Sequence, residues 1–380
     1  MLGIYVHVPF CVKKCGYCDF LSFPGMENCF EAYAEAVCAE IRGKGTLNKE
    51  GAVKETVDTF FVGGGTPSVL PASCLEKILR TARDVFDILP DAEITVEANP
   101  ESASFEKLSR LREAGFNRLS IGFQSLSDER LKALGRVHNA EKAREAFAAA
   151  RRAGFDNVNV DLIFGFPGEP EGEFERTLEE VIALKPEHVS CYSLIVEEGT
   201  PLAEGVRSGA LPEPDDARDR ADYRLAVRRL KEAGYVHYEI SNFALPGRES
   251  RHNLRYWQQR EYLGFGPGAA SFKGARRFAN SSDVKRYVSG VFETDPDSDE
   301  ILTQAALREE FMMLGFRLTD GPDFAEFERR FGKRPEDFFA ARLERLEKKG
   351  LIEKRASMEG PYALTEKGLD FANEVFAEFV

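Results

Sequence analysis

No stretch of about 18 consecutive apolar residues occurs in this chain of 380 residues, and no basic-then-apolar leader precedes its first hydrophobic run. A membrane-spanning helix and a secretory route are therefore not expected, and the cytoplasm is. Positive charge is in deficit: 51 Lys and Arg stand against 64 Asp and Glu, a net charge of -13. That balance opposes general affinity for a phosphate backbone, though it leaves room for a local basic patch. Tryptophan occurs once, at Trp257. A disulfide framework is also missing, because only three of the seven cysteines cluster and the others are scattered. Clustered, unpaired thiols suit a reducing compartment. The 43% hydrophobic content is ordinary for a packed globular protein, and the length suffices for one large domain and a smaller one.

The three clustered cysteines are the most informative feature. A β-branched and aromatic run from Leu2 to Val8 breaks at Pro9 and delivers Cys11, Cys15 and Cys18. The spacing C-x3-C-x2-C on one loop suits three corners of a 4Fe-4S cube and leaves the fourth iron open for a small molecule. Zinc is the alternative, but a structural zinc site closes with four ligands, usually in two separated pairs. His7 is a conceivable fourth ligand, yet it lies on the strand pattern, where a packed or hydrogen-bonded imidazole is the simpler reading. Cys29, Cys38, Cys74 and Cys191 read as core thiols.

Short apolar runs alternate with helix-period segments along the chain. Strands are expected near Leu2 to Val8, Thr56 to Val62, Glu93 to Ala98, Arg118 to Phe123, Asn157 to Phe164 and Glu187 to Leu194. Helices are expected at Glu27 to Arg42, Ala72 to Phe86, Phe105 to Ala114, Ala140 to Ala153 and Glu173 to Leu184. Six successive βα units give an α/β fold with a parallel sheet, since parallel strands need crossover connections. Six units are too few for a closed eightfold barrel, so an open, partial (β/α)6 barrel is expected. Ligands of such folds gather at the carboxyl ends of the strands. There this sequence places the cysteine loop, Gly63-Gly64-Gly65-Thr66-Pro67, Glu97-Ala98-Asn99-Pro100, Ser120 to Gln124 and Asp161 to Pro167.

With these residues in view, Tyr5-Val6-His7-Val8-Pro9-Phe10-Cys11, with Cys15, Tyr17 and Cys18, resembles the signature of radical S-adenosylmethionine (SAM) proteins of the coproporphyrinogen dehydrogenase group. The later motifs match in order across roughly the first 270 residues. The resemblance implies a 4Fe-4S cluster whose open iron chelates the amine and carboxylate of SAM, and one-electron cleavage of SAM to a 5'-deoxyadenosyl radical. It assigns Gly64, Gly65 and Thr66 to the methionyl end of SAM. Glu97, Gln124, Arg136 and Asp161 fall to polar contacts with the methionyl group and ribose, and Tyr5 and Tyr17 beside the cluster and adenosine.

Two departures separate relatives. The dehydrogenases carry a further cysteine where this sequence has Phe20, and an extension before the first strand, whereas this chain begins four residues before Tyr5. Both point to the sister group, the HemW-type heme chaperones. The segment His252-Asn253-Leu254-Arg255-Tyr256-Trp257 is similar to the HNxxY motif associated with heme binding in that group. Histidine and tyrosine are both known axial ligands of heme iron, which makes His252 and Tyr256 candidates. Trp257 is a candidate cover for a porphyrin face. The simpler alternative is that His252 and Asn253 fix a turn after the sixth strand and Trp257 fills core. Gly264 to Gly268 reads as a tight connection near the same rim.

The acidic run Glu293 to Asp299 reads as a boundary, giving residues 1-292 as the core and 293-380 as a small second domain. Helical patterns at Ile301 to Phe316, Pro322 to Phe331 and Pro335 to Lys349, short strands at Leu351 to Lys354 and Tyr362 to Leu364, and a last helix resemble a winged-helix module. Arg345, Lys348, Lys349, Lys354 and Arg355 raise nucleic-acid binding as a possibility. Interruption by Glu344, Glu347 and Glu353 favours a packing module or lid instead. The expected function is a heme-binding chaperone holding a cluster, SAM and heme and delivering heme to an acceptor protein, with transient contact to membrane-bound acceptors allowed and nucleic acid not expected. The alternative is oxygen-independent coproporphyrinogen III oxidase, an activity that the departures do not favour.

Overall fold

The computed structural model describes residues 1–46, 54–355 and 361–380. Six strands, β1 (Leu2–Val8), β2 (Thr56–Gly64), β3 (Asp87–Ala98), β4 (Arg118–Gln124), β5 (Val158–Phe164) and β6 (His188–Ser193), pair in sequence order and all in parallel. The crossovers are α1 (Phe30–Thr46), α2 (Ala72–Val85), α3 (Phe105–Ala114), the pair α4 (Asp128–Ala133) and α5 (Ala140–Arg152), and α6 (Glu173–Leu184). Local chemistry sets their ends. The Ser104 hydroxyl accepts from the Lys107 amide at the start of α3, and Gly115 closes it in the left-handed conformation at φ 107°. β3 starts earlier than its apolar run suggests. Its first residues, Asp87 to Asp91, are exposed or only half-buried, and they pair alongside β2, Thr56 opposite Asp87.

Along each strand alternate side chains point outward and inward. The outward set, such as Ile4, Val6, Phe60, Val62, Val96, Leu119, Ile121 and Val160, is buried beneath the helices in one large core. The inward set is largely polar. Tyr5, Phe61, Glu97, Ser120, Asp161 and Tyr192, one from each successive strand, line a single small chamber. Side chains from six strands meet only if the sheet curls around them, which gives the partial barrel.

After β6 come α7 (Pro201–Arg207), α8 (Asp216–Glu232), β7 (Val236–Glu239), β8 (Asn242–Ala244), α9 (Arg251–Trp257), β9 (Tyr262–Phe265), β10 (Ala270–Lys273), β11 (Arg276–Ala279), α10 (Val284–Val288) and β12 (Glu300–Ile301). β8 and β7 extend one edge of the sheet and β9 to β12 the other, so the order runs from β12 to β7 and does not close. β9 corrects the reading of Gly264 to Gly268 as a connection only. Its first part is a strand parallel to β1, with Gly264 opposite Tyr5. A Cβ on Gly264 would lie 2.1 Å from the Ala270 carbonyl oxygen. The glycine that hid the strand is what lets it pack. Gly266 and Gly268, both at positive φ, make the turn.

The acidic run Glu293 to Asp299 folds back along the sheet edge. The Asp295 amide donates to the Ala279 carbonyl at 2.9 Å, and Glu300 pairs with Arg277. Next come α11 (Gln304–Gly315), α12 (Phe324–Phe331), α13 (Glu336–Lys348), the antiparallel pair β13 (Ile352–Lys354) and β14 (Tyr362–Leu364), α14 (Glu366–Asp370) and α15 (Ala372–Ala377). Thr303 caps α11, so the helix expected from Ile301 starts later, and the expected last helix breaks at Phe371. Phe311, Phe316, Phe327, Phe339, Leu343 and Phe379 form a second core. The basic residues of this module are largely neutralised. Arg345, Lys348, Lys349 and Arg355 face Glu378, Glu344, Glu374 and Glu353. No described helix is long and apolar enough to cross a membrane.

Candidate radical SAM site

The cysteine loop leaves β1 and is pinned at both ends. The Phe23 amide donates to the Pro9 carbonyl at 2.9 Å, and the Cys11 amide to the Phe23 carbonyl at 3.3 Å. Mid-loop, the Gly16 amide reaches the Leu134 carbonyl, and the Gly16 carbonyl accepts from Leu202. His7 is tied down as the simpler reading has it, with Nδ1 3.0 Å from the Tyr5 hydroxyl and Nε2 2.9 Å from the Leu21 carbonyl. Cys11, Cys15 and Cys18 are free, half-buried thiols on one cleft of about 460 Å³. Cys38, Cys74 and Cys191 are buried elsewhere, and Cys29 is only half-buried against the core. Among the described residues no three His, Cys, Asp or Glu side chains gather closely enough to hold one metal ion.

Opposite the thiols lies the rim expected for SAM. Gly65 sits where a Cβ would meet the Phe10 carbonyl oxygen at 2.6 Å and the Cys11 sulfur at 3.1 Å. Only glycine brings the backbone this close. The Gly64 amide donates to Glu97 Oε2 at 3.1 Å, and the Thr66 hydroxyl is 3.3 Å from Cys11 Sγ. Arg136 is the hub. Its Nη2 donates to Asn99 Oδ1 at 2.7 Å and the Gly122 carbonyl at 3.0 Å, while Nη1 points to Cys15 Sγ at 3.4 Å. Gln124 stands at φ 66° just past a register shift in β4, a left-handed conformation uncommon outside glycine. Tyr17 lines the same cleft and packs on the small cluster of Leu134, Phe166, Leu194 and Leu202.

Two carboxylates end the rim. Asp161 accepts from Ser120 at 3.0 Å and from Asn159 at 2.8 Å. Burial pushes its acidity down, so its pKa is raised. Burial, and after it the Asp161 charge, push Glu97 up to about 8, against the pull of the Gly64 amide and Arg118. The sequence did not single out Asn99 or Ser120 as individual site residues. Asn99 links Thr66 to Arg136, its Nδ2 3.0 Å from the Thr66 hydroxyl. The one signal for Asn99 was its place before Pro100 at a strand end.

Tyr5 lies one layer deeper. It lines a chamber of about 170 Å³ with His252, Asn253 and Tyr256 and does not reach the cleft. The expected turn at His252 is a helix, α9. The Ser250 hydroxyl accepts from the Asn253 amide, and the Glu93 carboxylate accepts from the Arg251 and His252 amides, both at 3.0 Å. His252 is 1% exposed, and both ring nitrogens are taken, Nδ1 by Thr59 Oγ1 and Nε2 by the Tyr256 hydroxyl, each at 2.9 Å. Burial holds its pKa down at about 3, so the ring is neutral. In this arrangement His252 and Tyr256 present no open axial ligand; they pin α9 to the inside of the sheet. Trp257 does not cover that chamber. Its ring stacks under the Arg317 guanidinium at 4.1 Å, at the junction with the C-terminal module. Replacing His252 with alanine is expected to lower unfolding free energy by about 2–4 kcal/mol, through a cavity and two orphaned hydroxyls. Denaturant unfolding measures it, and a loss within about 0.5 kcal/mol of zero would refute the pinning role.

The Radical SAM superfamily profile matches residues 5–181, and the HemN C-terminal domain profile matches residues 302–371. The heme chaperone HemW of Bacillus subtilis (strain 168) is 37% identical over 384 residues, covering 100% of this chain and 99% of that protein. The chain belongs to the HemW family. The HemW of Escherichia coli (strain K12) is 33% identical over 100% of this HemW-family chain and 98% of its own length. Among solved structures, E. coli coproporphyrinogen III oxidase (HemN), described as a radical SAM enzyme, superposes with a TM-score of 0.84 at 25% identity, over 100% of this chain and 89% of that one. Radical SAM membership implies a 4Fe-4S cluster and SAM. The residues fit both: three free thiols on one wall, a glycine cradle that a Cβ would fill, a guanidinium for a carboxylate, and buried acids to accept from an amine.

Proposed function

We propose that this protein is a heme-binding chaperone that holds a 4Fe-4S cluster on Cys11, Cys15 and Cys18, binds SAM along the rim from Gly64 to Asp161, and passes heme to an acceptor protein in the cytoplasm. The observation that carries this is end-to-end likeness, 37% and 33% identity over the whole chain, to proteins named heme chaperone HemW. Its units are a core that runs through β12 and a small module that begins with α11. When bound, the cluster supplies one-electron chemistry and an open iron for the amine and carboxylate of SAM. The chain supplies the rest. Arg136, fixed by Asn99 and the Gly122 carbonyl, takes the SAM carboxylate. Glu97 takes the amine, Asp161 and Gln124 take ribose hydroxyls, and Gly64, Gly65 and Thr66 let the methionyl chain lie against backbone.

The second reading is coproporphyrinogen III oxidase, favoured by the HemN superposition and the intact rim. Against it stands Phe20, where those enzymes resemble this chain but carry a cysteine. Anaerobically reconstituted protein is expected to retain added hemin through gel filtration and to leave coproporphyrinogen III unchanged with SAM and a reductant. Steady appearance of the decarboxylated product would overturn the chaperone reading in favour of the oxidase.

A further inference from the structure

The mouth of the cleft is ringed by exposed apolar side chains. Phe20 at 62%, Ile195 at 65% and Tyr192 at 40% exposure line it, and Val12 and Phe23 stand exposed on the same loop as Phe20. These residues come from two places in the chain, the loop after β1 and the end of β6 with the connection that follows it. Single exposed apolar residues need no explanation, but a set gathered around one opening marks a binding surface. Behind Ile195, Leu194 packs with Leu134, Phe166 and Leu202, so that wall is firmly supported. Beside Phe20 sit two cations. Lys14 Nζ lies 3.0 Å from the Phe20 carbonyl, and Lys13 lines the cleft with no hydrogen bond or ion pair to another described residue.

Apolar walls beside a pair of lysines complement a plate that is apolar on its faces and anionic at its rim, although Asp19 and Glu197 line the same cleft. The geometry points to this mouth, between Phe20 and Ile195, as the seat of a tetrapyrrole face, with the carboxylate arms turned toward Lys13 and Lys14. The inference rests on the chaperone reading and gives its ligand a place. The inner chamber is the competing location, and it is poorly suited. It holds only about 170 Å³, and its imidazole is already bonded at both nitrogens. Seating the plate at the mouth leaves the floor of the cleft to the thiols and the rim residues below.

The test is hemin titration of the reconstituted full-length protein, followed by visible absorbance. The double variant Phe20→Ser, Ile195→Ser changes two mostly exposed side chains and is expected to weaken hemin binding about tenfold or more, from lost apolar contact. Iron content and the response to SAM are expected to stay as they were. Lys13→Glu with Lys14→Glu is expected to weaken hemin but not heme dimethyl ester, whose arms carry no charge. His252→Gln is expected to keep hemin affinity. Unchanged affinity in the Phe20, Ile195 double variant overturns the location and leaves the chaperone reading standing, whether or not self-association falls, which would assign the rim to a second copy of the chain. Loss of hemin in His252→Gln alone overturns it in favour of the inner chamber. No hemin binding by the unsubstituted protein overturns both readings.

Discussion

Replacing Cys11, Cys15 or Cys18 singly with alanine is expected to strip most of the iron, and the broad visible absorption with it, from protein reconstituted under anaerobic conditions. Each of the three thiols is half-buried on the wall of one cleft. Cys15 faces the Arg136 guanidinium and Cys11 faces the Thr66 hydroxyl. A cube held at three corners has no spare protein ligand, so losing one sulfur leaves two irons open. The controls lie inside the same chain. Cys38 is wedged between α1 and α2, where it accepts from Thr81, and Cys191 is 1% exposed on the outer side of β6. Substituting either removes a packed sulfur at a cost of about 1 kcal/mol and leaves the iron in place. Iron assays and absorbance spectra of the variants decide the matter. Full iron in a variant lacking all three loop cysteines would sink the cluster assignment.

SAM affinity is expected to climb with pH and level off near pH 8. The cause is Glu97, which burial and the neighbouring Asp161 push up to about 8 in the unliganded protein. An iron-bound amine is neutral and donates its N–H most strongly to the ionised carboxylate, so below that pKa a proton must first leave Glu97. The apparent affinity then falls by up to about tenfold per pH unit as pH decreases, and it is flat above, where the group is already charged. Glu97→Gln is expected to bind SAM weakly with no such slope. Asp161→Asn removes a repelling charge, so its midpoint is expected at lower pH, alongside weaker binding from the lost acceptor. Titrating SAM against the electron paramagnetic resonance signal of the reduced cluster on either side of about pH 8 tests all three. A wild-type slope that survives in Glu97→Gln would assign the proton elsewhere.

The local parts of this molecule were legible because local chemistry fixes them. Six β-branched runs became six strands, and α3 and α6 begin and end where amphipathic spacing and their flanking residues place them. The cysteine spacing survives any folding, and the glycines at 64 and 65 declare a close approach whatever they approach. Where a segment is held by its partners alone, the pattern was silent. The exposed, proline-containing start of β3 is a strand because β2 runs beside it, and β9 is one because β1 and Ala270 leave room for a glycine.

The sequence by itself determined the fold class, the loop that can hold a cluster and the strand ends where a ligand gathers, because each follows from periodicity, turn chemistry or ligand spacing within a few residues. The curl of the sheet decided the rest. It brings Arg136 to Cys15 across 121 positions and Thr59 to His252 across 193. That second contact turned a motif readable as an open heme ligand into a closed, neutral pin, since a buried imidazole takes whatever partners the opposite strand supplies. The same curl gathers Phe20 and Ile195 at one mouth, a juxtaposition set by the pairing of β1 through β6 and invisible along the chain.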